Sequence, residues 1–556
     1  MRRKAPSLAK IALPLVVIIG LVLAACAPAA TATPTKPPAT ATAVPALSQP
    51  TATPAAAAPA AASPAVAATR PPATPTTVAA LSKGKMVAVL TAEPPQFQPQ
   101  DITACDPSCL VGYNVMENLT ERNLKTYVLE GSLADKWEQK DAKTWRFTLK
   151  KGIKFHDGTP FNAQAAADSI NRDFNVDLNG KIRGQMGPQI TATAVDEVTL
   201  YVATADPDPI IPLRMMLALI FSPTFAKNSP EEMTIKAVGT GPYKWVEWVR
   251  GQYVKLVAND DYWGPVKPAI KDLVFQWRAE SVVRAAMVKT GEAQVAYFIN
   301  PQDSKGVPRA VPVSTVETAI IRADMDHPVL KDKRIRQAMN YAIDRQAIVD
   351  KIYSGAAAPA AQLPAPAVTG HNPALKSYPY DKAKAQALLK EAGYAGQEIA
   401  FYSRLDHFNG DKDMWEAITN WWTEAGLKIK HQPLEYSKGN DMLFAVAPGQ
   451  RGPLVTTKHG VELGDASRSF DSYLRIGGRL SENNDTKLDE MGKKAVVIPV
   501  GPERTKALQD MFTYLYDEVP VYPIIHLHFI FGLANNLDWA PRADGFTKFG
   551  LAKYTS

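Results

Sequence analysis

The sequence predicts an α/β protein, and three observations predict it. Of 556 residues, 46% are hydrophobic and 21% charged, which is enough apolar material for two or three packed domains. From residue 84 onward, short alternating or apolar runs read as strands. Between them lie stretches of helical periodicity with polar residues at their starts. No internal repeat is present. The formal net charge of +7 is an N-terminal effect, because residues 1–80 hold Arg2, Arg3, Lys4, Lys10, Lys36 and Arg70 and no acidic residue, leaving the remainder at +1. A nearly neutral globular part has no general attraction to a polyanion, so no nucleic acid is expected as a partner.

Taken in order, the chain opens with four basic residues in Met1–Lys10 and an apolar run from Ile11 to Ala25, interrupted by Pro14 and Gly20. That run is short of the roughly 20 residues that span a bilayer, and basic-then-apolar order is that of a secretory signal. It ends in Leu23-Ala24-Ala25-Cys26 and resembles a bacterial lipoprotein signal, which implies cleavage before Cys26 and lipidation of that residue. A plain signal with an incidental cysteine is the alternative. Residues 27–80 reduce to Ala, Thr, Pro and Val, with 12 of the chain's 45 prolines, and read as an extended tether with almost nothing to bury. With Cys26 lipidated, Cys105 and Cys109 remain, and outside the cytoplasm they read as a small disulfide loop around Asp106-Pro107-Ser108. Two thiolates without a nearby histidine are too few for a metal.

In the folded part, strands are expected at Met86–Leu90, Thr144–Lys150, Glu197–Val202, Tyr253–Val257, Asp272–Trp277 and Glu398–Tyr402. Asp332 caps a helix through Ile335, Ala338, Met339 and Ala342, and Asp344 restarts it toward Ile348 and Ile352 with Gly355 past its end. Asp381 caps another through Ala385, Leu388 and Leu389, stopped by Gly393. Residues 413–425 place Met414, Ile418, Trp421 and Trp422 on one stripe, read as core packing. No nucleophile elbow, His-Glu-x-x-His, Walker loop or dinucleotide fingerprint occurs, so no enzyme activity and no cofactor is expected. His526 and His528 share a strand face but sit in an apolar run and read as core, not as metal ligands. His156-Asp157, followed by Gly158-Thr159-Pro160, is turn chemistry.

Several segments, in order, carry a resemblance. They are Glu117-Asn118-Leu119-Thr120; Gly131-Ser132-Leu133-Ala134-Asp135-Lys136-Trp137-Glu138; Thr144–Leu149 leading into 151–163; Gly239-Thr240-Gly241-Pro242-Tyr243; Ala258–Gly264; and Arg334–Met339 with Ala342–Arg345. Together they resemble the extracellular solute-binding proteins of peptide- and nickel-type ABC importers, family 5, from about residue 86 to 540. The resemblance implies a type II periplasmic-binding-protein fold of two lobes closing about a hinge. The implied division is an N-terminal lobe over 81–318, with an extra subdomain at about 125–218, a second lobe over 319–520, and a returning tail over 521–556. The motif residues themselves read as structural: Phe155 and Phe161 flank an Asp-Gly turn, and Gly239 and Gly241 permit close backbone approach.

Peptide-binding relatives have a Gly-Asp or Ala-Asp after the strand near Val455–Leu463, whose aspartate pairs with the peptide ammonium, which points to Asp465. Two departures stand out: Ser467-Arg468-Ser469 replaces the usual Asp-Pro context, and Glu462 stands where peptide binders often have Trp. His459, Lys458, Tyr113, Asn114 and Arg404 are further candidates for the cleft. The expected function is capture of an oligopeptide-like solute by a monomer anchored to the bacterial membrane, and delivery to the permease subunits of an ABC importer. A nickel complex, opine or oligosaccharide is the alternative ligand. Two other classes are a tethered hydrolase, to be revealed by turnover of a substrate panel, and a structural lipoprotein, to be revealed by binding to wall polymer.

Overall fold

The computed structural model describes residues 84–555 except 103–105, 124–127, 179–180, 406, 445 and 448. Cys26, the tether and Cys105 lie outside the described residues. The described residues form a single compact unit.

The fold is mixed α/β around an eleven-stranded sheet. Near its middle run two long strands, Arg309–Ala323 and Val521–Leu533, paired antiparallel from Arg309↔Leu533 to Arg322↔Val521. The register shifts between Ser314 and Thr318 and again between Ala319 and Ile320. On one side the sheet continues through Val295–Ile299, Lys85–Leu90, Asp272–Trp277, Tyr253–Ala258 and Tyr243–Val249. On the other it continues through Leu454–Gly460, Glu398–Arg404 and Lys428–Leu434. Each half buries its own apolar clusters, four in all among the described residues. One core draws on Met86, Tyr297, Phe531 and Phe549, another on Ala319, Trp415, Trp422 and Ile525. These are the two lobes, and the paired long strands pass from one to the other. A separate four-stranded antiparallel sheet, Ala134–Asp141, Thr144–Leu149, Thr199–Thr204 and Ile190–Ala194, extends the N-terminal lobe.

Local chemistry explains the elements. The side chains of Asp332, Asp344 and Asp381 accept from the backbone N–H groups of Arg334, Ala347 and Lys384, as helix caps do. The second of these helices passes into a π-turn over Ile348–Ile352, which periodicity did not indicate. The expected strand Glu197–Val202 begins instead at Thr199, because Asp196 Oδ1 accepts from Val198 N and Thr199 N and holds a turn there. The stripe at Met414, Ile418 and Trp422 is buried, as is Trp415.

The motif residues converge on one buried carboxylate. Glu117 accepts from Thr240 Oγ1 (2.8 Å), Tyr262 Oη (2.7 Å) and Trp263 Nε1 (2.7 Å). Three donors satisfy a group whose burial raises its pKa. A Cβ on Gly239 would stand 2.3 Å from Val115 O, and one on Gly241 2.8 Å from it, so this crossing requires glycine.

Candidate functional site

Between the lobes lies a cleft of about 2420 Å³, well above the roughly 300–1,000 Å³ of an ordinary small-molecule pocket. The N-terminal lobe contributes Glu93, Lys181, 183–185, 206–208 and 298–301. The strands joining the lobes contribute Glu317 and 527–530, and the second lobe contributes Arg404, 407–413, 457–460, Glu462, Arg468, 471–473 and Arg479.

The strand Leu454–Gly460 delivers most of the polar wall. Paired with the long strand, it sets Lys458 against Glu317, with Nζ 2.9 and 3.0 Å from the two carboxylate oxygens. Lys458 Nζ also stands 5.8 Å from the Phe529 ring centroid. His459 is buried, with Nε2 2.8 Å from Ser469 Oγ and its ring edge-on to Tyr473 at 4.8 Å. Burial, with the Arg468 charge adding to it, holds the His459 pKa well below the usual range, so the ring is neutral at physiological pH. Arg404 Nη1 donates to Thr457 Oγ1 (2.9 Å) and Nη2 to Asn440 Oδ1 (2.5 Å). After a short helical turn over Ser467–Ser469, the chain widens into a π-turn, Phe470–Leu474, that brings Tyr473 into the cleft wall.

The lobes touch around this cavity. Arg122 Nη2 donates to Leu463 O (2.6 Å), Arg468 Nη1 to Gly184 O (2.8 Å) and Asn409 Nδ2 to Phe298 O (3.4 Å). Phe298 has φ of 51°, a sparsely occupied region for a bulky residue. Its carbonyl also accepts from Arg284 Nη2 (2.8 Å), and its ring packs on Phe529 at 4.2 Å. Gly464 turns with φ of 65° directly under Arg122, whose Nη2 would lie 2.3 Å from an added Cβ.

Of the residues expected at the site, Arg404, Lys458, His459 and Glu462 line the cleft and three others do not. Asp465 is fully buried, with Oδ1 and Oδ2 each 2.8 Å from the Arg504 guanidinium and Oδ1 also accepting from Ser467 N (3.0 Å). The aspartate is therefore spent on holding its own loop. Asn114 bonds Leu110 O, Thr547 O and Phe549 N, which fastens the first helix to the returning tail. Tyr113 stacks on Phe546 at 4.6 Å in the same packing. Cys109 is buried on the helix Pro107–Gly112, while its expected partner Cys105 lies outside the described residues. His528 faces the cleft, whereas His526 is buried against Thr318 Oγ1 (2.8 Å), and no cluster of three metal-ligating side chains occurs among the described residues.

Sequence reasoning missed Lys181, Arg183, Glu317, Arg468 and Arg479. Arg468 alone left a signal, as part of the Ser467-Arg468-Ser469 departure. Its Nε donates to Gly460 O (3.0 Å) and lies 3.3 Å from Glu462 Oε2.

Residues 128–475 match the model of the bacterial extracellular solute-binding proteins, family 5. The chain is 30% identical over 492 residues to the dipeptide-binding protein of Escherichia coli K12, covering 81% of this chain and 90% of that one. Among solved structures it resembles the periplasmic binding protein DppA of Helicobacter pylori in complex with the peptide STSA, with a TM-score of 0.72, 20% identity, and coverage of 85% and 98%. It also resembles NikA of Staphylococcus aureus in complex with Ni(L-His)2, with a TM-score of 0.68, 17% identity, and coverage of 85% and 100%.

Proposed function

Since the chain belongs to the family 5 extracellular solute-binding proteins, which serve ABC importers and are not enzymes, we propose that it captures oligopeptide-like solutes by lobe closure as a lipid-anchored receptor. The observation that carries this reading is the size and polarity of the interlobe cleft. A volume of about 2420 Å³ would hold about 80 waters at ~30 Å³ each. That is room for a chain of several residues whose backbone groups bond to protein or to bridging water. Within it, Glu462 supplies a carboxylate for a ligand ammonium, Arg404 a guanidinium for ligand carbonyl or carboxylate oxygens, and His459 a neutral ring nitrogen. Asp465 acts indirectly by anchoring the loop that carries Glu462.

Closure rotates the 81–318 lobe, with its tail from 521, against 319–520. Ligand biases that motion by the contacts it makes only when both walls are in place. Lipid on Cys26 and the Pro-rich segment that follows hold the receptor near its permease as a monomer, and no cofactor takes part.

Native mass spectrometry of the full chain, purified in mild detergent without denaturation, tests this. A ladder of bound masses that fragment as peptides is the expected result. A single non-peptide mass or a metal adduct overturns the peptide reading in favour of a sugar, an opine or a nickel complex. Acyl mass on the fragment beginning at Cys26 tests the anchor separately.

A further inference from the structure

Where the lobes meet beside Glu462, basic side chains collect without matching acids. From the second lobe, Arg468 sends Nη1 to Gly184 O (2.8 Å). Arg479 comes so close to the same glycine that an added Cβ there would lie 3.0 Å from its Nη1. From the N-terminal lobe, Lys181 and Arg183 precede Gly184 in sequence, and all four cations line the cleft. Lys181, Arg183 and Arg479 have no carboxylate within salt-bridge distance among the described residues. Arg468 shares Glu462 at 3.3 Å. Most other acids lining this part of the cleft or standing behind it are committed: Glu482 is shared by Arg322 (2.6 Å) and Arg451 (3.1 Å), Asp471 is held by Arg475 and Asp208 by Arg214 (2.6 Å), while the exposed Asp206 has no cation within salt-bridge distance among the described residues. Arg479 rests on the Phe444 ring at 4.9 Å to the centroid, which places its guanidinium without neutralising it.

Four cations facing one carboxylate across a seam repel one another and oppose closure unless a counter-charge enters. Burial first, and then the charges of Arg451 and Arg468, lower the Arg479 pKa, the direction such crowding gives. A ligand carboxylate placed there would touch both lobes at once, so it would favour the closed form specifically.

We propose that the seam formed by Lys181, Arg183, Arg468 and Arg479 is an anion subsite, and that the receptor selects peptides bearing carboxylate groups beyond the ordinary backbone contacts. This rests on the reading of the cleft as a peptide site and names its preferred ligand class.

The test is calorimetric titration of the full chain in mild detergent with Ala-Ala-Ala-Ala, Ala-Ala-Glu-Ala and Ala-Ala-Lys-Ala, each with a free and an amidated C-terminus. The glutamate peptide should bind about tenfold tighter than the lysine peptide at low salt, with the gap narrowing as salt is raised. The gap should persist when the C-termini are amidated, because the side-chain carboxylate and not the terminal one fills the subsite. Arg479→Gln and Arg183→Gln should shrink the gap, while the charge-matched Lys553→Gln, at an exposed position whose side chain is 62% accessible, should leave it intact. Equal binding of all three peptides overturns the anion subsite while sparing the peptide reading. Failure of every peptide to bind overturns the reading on which it rests.

Discussion

Replacing Asp465 separates a structural role from a ligand-binding one. Its carboxylate and the Arg504 guanidinium are 1% and 0% accessible and meet through two 2.8 Å bonds. Removing one member of a buried pair typically costs about 3–5 kcal/mol, because the survivor is left buried and uncompensated. Arg504 keeps carbonyl partners at Val496 (2.7 Å), Ile498 (2.8 Å) and Ala495 (3.3 Å), which argues for the lower end, about 3 kcal/mol for Asp465→Ala. Equilibrium denaturation of the ligand-free protein would register that loss as a lower midpoint. The double replacement Asp465→Leu with Arg504→Met should not recover it, since removing the guanidinium also strips the carbonyls of Val496 and Ile498 of their donor. The pH dependence has a definite sign. Burial raises the Asp465 pKa, but the hydrogen bonds and charge of Arg504 outweigh it and leave the group lowered. Its contribution is present above the unfolded carboxyl value of roughly 3.9 and is lost as pH falls through the folded value, so the wild type and Asp465→Ala should converge in strong acid. An Asp465→Ala protein with unchanged stability but peptide affinity reduced a hundredfold would refute this assignment and return Asp465 to the ligand.

Three further outcomes are expected. Asp173 is buried, with neither carboxylate oxygen bonded among the described residues, and burial raises its pKa well above the usual value. Its contribution to stability therefore falls as pH rises from roughly 3.9 to the folded value, and Asp173→Asn should raise the melting temperature at pH 7, with the difference vanishing near pH 4. Burial lowers His156 to about 4 and His526 to about 3. The unfolded chain binds these protons below about 6.5 while the fold refuses them, so their contribution to stability falls as pH drops from 6.5 toward 4, and the denaturation midpoint of His156→Gln should gain on that of the wild type over that range. Gly464→Ala meets both a left-handed backbone and the Arg122 guanidinium; it should cost about 1–3 kcal/mol and weaken peptide binding, read by thermal melting and titration.

The legible parts of this fold were local. Asp332, Asp344 and Asp381 could be identified as caps because a cap is satisfied within three residues. The strands at Asp272–Trp277 and Tyr253–Ala258 announced themselves by composition. The burial of Asp465 is illegible for the opposite reason. The residue that claims it stands 39 positions downstream, and nothing near Gly464 indicates that Arg504 will arrive. Likewise Arg468 and Gly184 are 284 residues apart, so the crowding of cations at the seam exists only once the lobes have met. His459 and Arg404 could be placed at the cleft because the strands bearing them run to its edge. Tyr113 could not, since an aromatic ring beside a helix looks the same in sequence whether it faces a ligand or Phe546.

The two strands that pass between the lobes have a mechanical consequence. Arg309–Ala323 and Val521–Leu533 form a fifteen- and thirteen-residue ribbon whose two ends are embedded in separate cores. Its register slips near Ser314–Thr318, where a bulged strand bends and twists, so the ribbon is expected to yield there first, as a leaf spring does at its thinnest point. Each lobe is clamped to one end of the spring, so neither can melt without unzipping strands that the other depends on. Calorimetric heating should accordingly give one cooperative peak despite the separate cores of the two lobes, and the permease would receive a receptor whose halves recoil together when the solute leaves.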